Sequence, residues 1–212
     1  MKIALIGATG RVGQAILAEA LHRGHQVTAI ARNVDAIEPK PHLKTVGADV
    51  ADADETARAV KGSDAVISAF NPGWGNPNIR ADYARGLAGI VAGVKKAGVN
   101  RILFVGGAGS LIDNGERIID SPSFNPQFKE GALGALDALE TIRKETDLEW
   151  SFISPARVIK PGERTGTYRH GGDEPVKDDT GESTISMGDL AHAILDEIEK
   201  PKHVHRRFTV GY

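Results

Sequence analysis

The chain of 212 residues contains no cysteine, which excludes disulfides, thiolate nucleophiles and sulfur-ligated metals together. It also lacks an excess of charge of either sign, since 26 Lys and Arg stand against 28 Asp and Glu, a formal net charge of −2. That balance gives no general attraction to DNA, RNA or an anionic membrane surface, so neither nucleic acid nor membrane is an expected partner. No apolar run approaches the roughly 20 residues of a membrane span, and the start is too short for a signal-peptide apolar region. The absence of cysteine fits a reducing compartment, and the expectation is a soluble, cytoplasmic protein. Repeats and low-complexity tracts are absent too. The seven histidines form no His-x-x-x-His pair. "HVHRR" at His203 to Arg207 spaces two of them like one face of a strand, and a surface strand entry explains it better than a metal.

What is present is a rhythm. Short runs rich in Val, Ile and Phe recur as "KIALIG", "QVTAIA", "LKTVGA", "DAVISAF", "RILFVGG" and "WSFISP". Between most of them lie segments with helical spacing: Arg11 to Arg23, Asp52 to Val60, Ile79 to Ala97 and Gly131 to Lys144. The first ends at Gly24, which suits a helix C-cap. Strands too continuous in apolar character to have a wet face, alternating with helices, imply a parallel sheet covered on both sides. The fold class expected is α/β, a doubly wound, Rossmann-like parallel sheet in a single domain spanning residues 1–212. After Pro155 the rhythm breaks. Residues 156–186, rich in Gly, Pro and charge, read as a loop-rich excursion on the substrate side, before a last helix, Met187 to Glu199, and a strand "RRFTVGY".

"GATGRVG" places Gly7, Gly10 and Gly13 after the first strand and at the mouth of the first helix. Gly7 permits a tight turn, Gly10 lets backbone approach a pyrophosphate, and Gly13 allows close helix-on-strand packing. Amides at the helix N-terminus then face the phosphates, with Thr9, Arg11 and Val12 around them. An NAD-selective site carries an acid about 20 residues further on. Here Arg32 ends the second strand, nineteen residues after Gly13. A guanidinium pairs with a 2′-phosphate where a carboxylate repels it, so NADP is favoured over NAD. The alternative leaves Arg32 as a solvated strand end and bends Asp35 back to the ribose. Asp49 and Val50 in "GADVAD" border the expected adenine, Asp49 serving equally well as a helix cap. Ser68, Ala69 and Phe70 follow the fourth strand beside the expected nicotinamide ribose, and Pro155 ends the sixth near the carboxamide.

"IALIGATGRVG", "AIARN", "GADVAD", "FVGGAGSL", "SFISPA", "PGERTGTYR" and "DLAHAILDEIE" together resemble the atypical short-chain dehydrogenase/reductases of the NAD(P)H-binding, NmrA-like group, especially its small NADH-flavin reductases. The resemblance spans nearly the whole chain and implies a nicotinamide cofactor and a small-molecule acceptor. Its members also include biliverdin and quinone reductases and redox sensors without turnover. The wider family's Tyr-x-x-x-Lys pair is missing: Tyr83 is followed four later by Leu87, Tyr168 by Gly172, and Tyr212 is last. Phe128 and Ala132 stand where the pair is expected, and phenylalanine donates no proton. That shifts the expectation from carbonyl reduction toward hydride transfer to a flavin or similar conjugated acceptor, for which positioning supplies much of the rate. The alternatives are an NADP-binding sensor without turnover and, less favoured because the C-terminal part is short for a larger substrate, a sugar-nucleotide epimerase or dehydratase. The resemblance makes Ser110 the candidate catalytic serine, a plain loop hydroxyl being the other reading. Lys129 reads as a solvated lysine at a helix start. No metal site is expected, and the oligomeric state is not legible.

Overall fold

Alternation of apolar residues along the first strand decides how the layers form. In a computed structural model describing residues 1–212, Ile3 and Leu5 pack into one core and Ala4 and Ile6 into the other, on opposite faces of the sheet, as the two-residue period of a strand requires. The elements in chain order are β1 (Lys2–Ile6), α1 (Arg11–His22), β2 (Gln26–Ala31), β3 (Leu43–Gly47), α2 (Ala53–Val60), β4 (Ala65–Ser68), α3 (Ile79–Lys96) and β5 (Arg101–Val105). They continue with β6 (Ile112–Asp113), β7 (Glu116–Arg117), α4 (Lys129–Ile142), β8 (Glu149–Ile153), β9 (Val158–Lys160), β10 (Arg169–Gly171), β11 (Thr184–Ser186), α5 (Met187–Glu199) and β12 (Arg206–Gly211).

Eight strands form one sheet in the order β10-β12-β8-β5-β4-β1-β2-β3. All neighbours are parallel except β10, which runs antiparallel on β12 with Arg169 opposite Gly211. Helices α1 and α5 cover one face, and α2, α3 and α4 the other. This is the doubly wound architecture expected, in a single domain. Chain direction along the sheet reverses between β1 and β4, and there the carboxyl ends of the strands open a crevice.

The excursion after Pro155 is more ordered than a loop. β9 and β11 pair in parallel, Thr184 with Val158, and β10 extends the main sheet. Asp189, in the first turn of α5, gathers the segment: its Oδ1 accepts from the Thr165 and Gly166 amides, both at 2.8 Å, and its Oδ2 from the hydroxyls of Thr165 (2.7 Å) and Tyr212 (2.6 Å).

Candidate functional site

The turn after β1 has no room for side chains at two of its three glycines. Gly7 has φ +78°, and a Cβ there stands 2.5 Å from the Ala69 carbonyl oxygen; at Gly13 it stands 2.1 Å from that of Gly7. Both glycines are therefore demanded by the fold. Gly10 differs. Its φ is an ordinary −73°, and a Cβ meets nothing nearer than the Gly7 carbonyl oxygen at 3.5 Å. The fold therefore leaves room for a Cβ at position 10.

That space faces the start of α1. No side chain caps the helix and its first turn holds no acid, so its leading amides, which lack partners within the helix, stay available, with the positive end of the dipole behind them. An anion such as a pyrophosphate fits this cradle.

The cradle opens into a cleft of about 340 Å³ at the β1/β4 crossing. Of the residues singled out from the sequence, Gly7, Thr9, Gly10, Arg32, Asp49, Val50, Ala69 and Phe70 line it. Others are placed elsewhere. Arg11 is exposed on the first turn of α1 and Gly13 is buried beneath the loop. Val12 packs against the core on the α1/α5 face. Ser68 lies under the sheet's opposite face, lining a small apolar pocket with Tyr83, Phe104 and Phe152, because strand alternation turns it away from the cleft that its neighbour Ala69 lines. Pro155 is buried and outside the cleft lining. Asp49 lines the cleft but does not cap α2. Asp52 does, accepting from the amides of Asp54 (2.7 Å) and Glu55 (3.0 Å), while Asp49 Oδ1 accepts from Ala51 N at 3.0 Å in the turn before it.

The charged side chains lining the cleft are Arg32 and Arg85 with Asp49 and Asp82. Arg32 lines it without forming any ion pair, and Asp35 is exposed and outside the lining. A second arginine, Arg85, reaches the same cleft from α3 and is held 2.7 Å from Asp82. Asp82 accepts from Asn76 Nδ2 at 2.8 Å. That hydrogen bond, then the charges of Arg85 and Arg32, hold its carboxyl below the usual range. Arg85 was missed in the sequence because a helical arginine far along the chain has no spacing that ties it to the glycine loop.

Ser110 is placed differently from an open substrate contact. It is buried; its hydroxyl donates to the Gly107 carbonyl (3.3 Å), lies 3.1 Å from Ser154 Oγ, and accepts from Arg207 Nη1 at 3.3 Å. Arg207 is in turn paired with Asp173. Tyr83, the tyrosine nearest the cleft by its place on α3, is buried edge-on against Phe70, and burial pushes its hydroxyl up to about 12. His203 and His205 serve separate partners, Glu197 Oε2 at 2.8 Å and the Leu148 carbonyl at 2.9 Å.

The family model described as NAD(P)H-binding matches residues 7–201. A Bacteroides thetaiotaomicron protein provisionally named an epimerase is 47% identical, with a TM-score of 0.92, over 100% of this chain and 96% of its own. One from Streptococcus pneumoniae, provisionally named an NADH-flavin reductase, is 36% identical with a TM-score of 0.86, covering 100% and 99%. The uncharacterised protein YwnB of Bacillus subtilis (strain 168) is 39% identical over 99% of this chain and 98% of its own length. A Burkholderia pseudomallei relative, 39% identical with a TM-score of 0.87 over 100% of each chain, is provisionally named an exported protein. No helix here is long and apolar enough to cross a membrane.

Proposed function

Since the chain belongs to the NAD(P)H-binding family, we propose that it is an NADPH-dependent reductase of a flavin or a similar planar, conjugated acceptor. The bound cofactor supplies hydride from its nicotinamide, and solvent supplies the proton that completes reduction of the acceptor. The uncapped start of α1 and the bare backbone at Gly10 hold the pyrophosphate. Arg32, which is in no ion pair although its charge acts on Asp82, takes the 2′-phosphate, with Arg85 beside it. That guanidinium in the cleft, outside any ion pair and with Asp35 outside the lining, is the observation that carries the NADPH assignment.

The choice of acceptor follows from what the site withholds. Tyr83 is buried with its proton held tightly, and Ser110 is engaged by Arg207. Neither is an exposed general acid, so an acceptor that needs orientation more than a side-chain proton suits the site best. The name of the Streptococcus relative agrees with this reading; epimerisation, named for the Bacteroides relative, calls for acid and base groups flanking a substrate. A cytoplasmic location belongs to the same proposal.

Purified protein mixed with NADPH or NADH and with FMN, FAD or quinones is followed at the nicotinamide absorbance band. Oxidation of NADPH by at least one acceptor is expected. Tight binding of NADPH without oxidation by any acceptor favours a second reading, a redox sensor without turnover, which the locked Ser110 hydroxyl also supports.

A further inference from the structure

Two large aromatic side chains stand in the open beside the cleft. Trp74 is 57% and Phe128 40% exposed, and their rings meet edge-to-face with centroids 5.2 Å apart at an interplanar angle of 82°. We propose that this corner is the platform on which the flat ring of a flavin-class acceptor stacks, a proposal that rests on the reductase reading above.

Place comes first. Asn71 and Pro72 line the cleft, and Trp74 follows two residues later in the same loop after β4. Phe128 precedes α4, on the segment that leaves β5. Both therefore lie at the carboxyl edge of the sheet, where an acceptor meets a dinucleotide bound at the β1/β4 crossing.

Construction comes second. The loop carrying Trp74 is tied down: the Gly73 amide donates to Asn71 Oδ1 (2.8 Å), the Asn76 amide to the Gly73 carbonyl (3.0 Å), and Asn76 Nδ2 to Asp82 on α3 (2.8 Å). Gly73 has φ +110°, which a side chain rarely tolerates. The indole rests against Gly131 in the first turn of α4, where a Cβ would stand 2.5 Å from Trp74 Cζ3. Glycine at 131 thus clears the seat for a ring that remains more than half exposed.

Size chooses the occupant. The exposed large hydrophobics are Met1, Trp74, Phe128 and Val158, and Met1 and Val158 sit on other elements. A protein partner buries roughly 1,200–2,000 Å² in a specific interface, far more than two rings offer. One indole with a phenyl wall at right angles matches a single planar ring, and stacking of a base-like ring on an aromatic side chain is worth about five- to a hundredfold in affinity.

The protein saturated with NADP⁺ is dialysed to equilibrium against riboflavin or FMN and the retained flavin is read from its absorbance, a measure that does not depend on the indole. Parent, Trp74→Phe and Trp74→Ala are compared, with NADP⁺ affinity measured on all three as the control for folding. The expected result is flavin retained by the parent, a dissociation constant raised about five- to a hundredfold in Trp74→Ala and less in Trp74→Phe, and unchanged NADP⁺ affinity. Equal flavin affinity in parent and Trp74→Ala overturns the platform, as does failure of the parent to bind either flavin. Stacking lost in Trp74→Ala together with no NADPH oxidation by the parent leaves the platform standing and removes the reductase reading instead.

Discussion

At the scale of single residues, the three glycines of one loop do different work and respond differently to substitution. Gly13→Ala drives a methyl group into the Gly7 carbonyl oxygen, 2.1 Å away, and is expected to cost about 1–3 kcal/mol or more by overpacking. Gly10→Val adds a Cβ that meets nothing nearer than 3.5 Å, so its urea midpoint is expected to stay close to the parent's while NADPH binding is abolished. Urea denaturation beside a cofactor titration separates the two. If Gly10→Val binds NADPH like the parent, the pyrophosphate lies elsewhere. Arg32 supports a sharper comparison. Arg32→Ala removes a charge-assisted contact worth roughly 1.5–3 kcal/mol, about one to two orders of magnitude in NADPH affinity, and leaves NADH nearly untouched. Salt should weaken NADPH more than NADH in the parent, because an exposed phosphate contact is screened. Equal losses for both cofactors would show that Arg32 supports the shared adenosine or the fold, and a parent preferring NADH sinks the 2′-phosphate assignment.

Elements explain what the sequence made legible. The helix read from Met187 to Glu199 is found at those limits, with Ser186 accepting from the Asp189 amide at 3.0 Å, because capping chemistry and apolar period coincide there. The helix read from Gly131 begins instead at Lys129, since Asn125 caps the short turn at Pro126 and winds the chain early. β10 is not legible in the sequence for a physical reason: three residues on a sheet edge, two of them exposed, carry no alternation to read. The cofactor half of the site was largely legible because a dinucleotide is held by local backbone geometry. The Ser110 network was not, because Ser154 and Arg207 come from distant strands and nothing in their spacing announces the meeting.

Asp189 gives this scale its own prediction. Burial pushes its carboxyl up, but the Tyr212 and Thr165 hydroxyls with the Gly166 and Thr165 amides outweigh it and hold the group below its ordinary value. Its stabilising contribution is thus fully present above the unfolded value, about 3.9, and is lost as pH falls through the lower folded value. Asp189→Ala should cost about 1.5–3 kcal/mol at neutral pH. Asp189→Asn, which cannot ionise, should lose stability less steeply than the parent below about pH 4. Urea midpoints across that range test both; parallel acid limbs in parent and Asp189→Asn would mean that the contacts are made equally well by the neutral acid.

Across the whole molecule, the candidate cleft and a second buried polar anchor lie at opposite ends of the sheet. The carboxyl ends carry the glycine loop, Arg32 and the aromatic corner, beside the Asp189 network. The amino ends carry a buried polar knot: Glu197 Oε1 accepts from Arg101 Nη2 (3.1 Å), Ser151 Oγ (2.8 Å) and the His203 amide (3.0 Å), with the Arg101 and Glu197 side chains only 8% and 3% exposed. It ties the starts of β5 and β8 to the end of α5. Removing one partner strands the other charge in the interior, and such losses run to about 3–5 kcal/mol. Arg101→Ala should therefore lower the urea midpoint sharply while the fraction that remains folded binds NADPH with the parent's affinity. Arg32→Ala should do the reverse, weakening NADPH with the midpoint unmoved. Measuring both quantities on both variants takes four titrations. A folded Arg101→Ala protein with weakened NADPH binding would show that the two ends are coupled through the strands, and that the crevice depends on the knot beneath it.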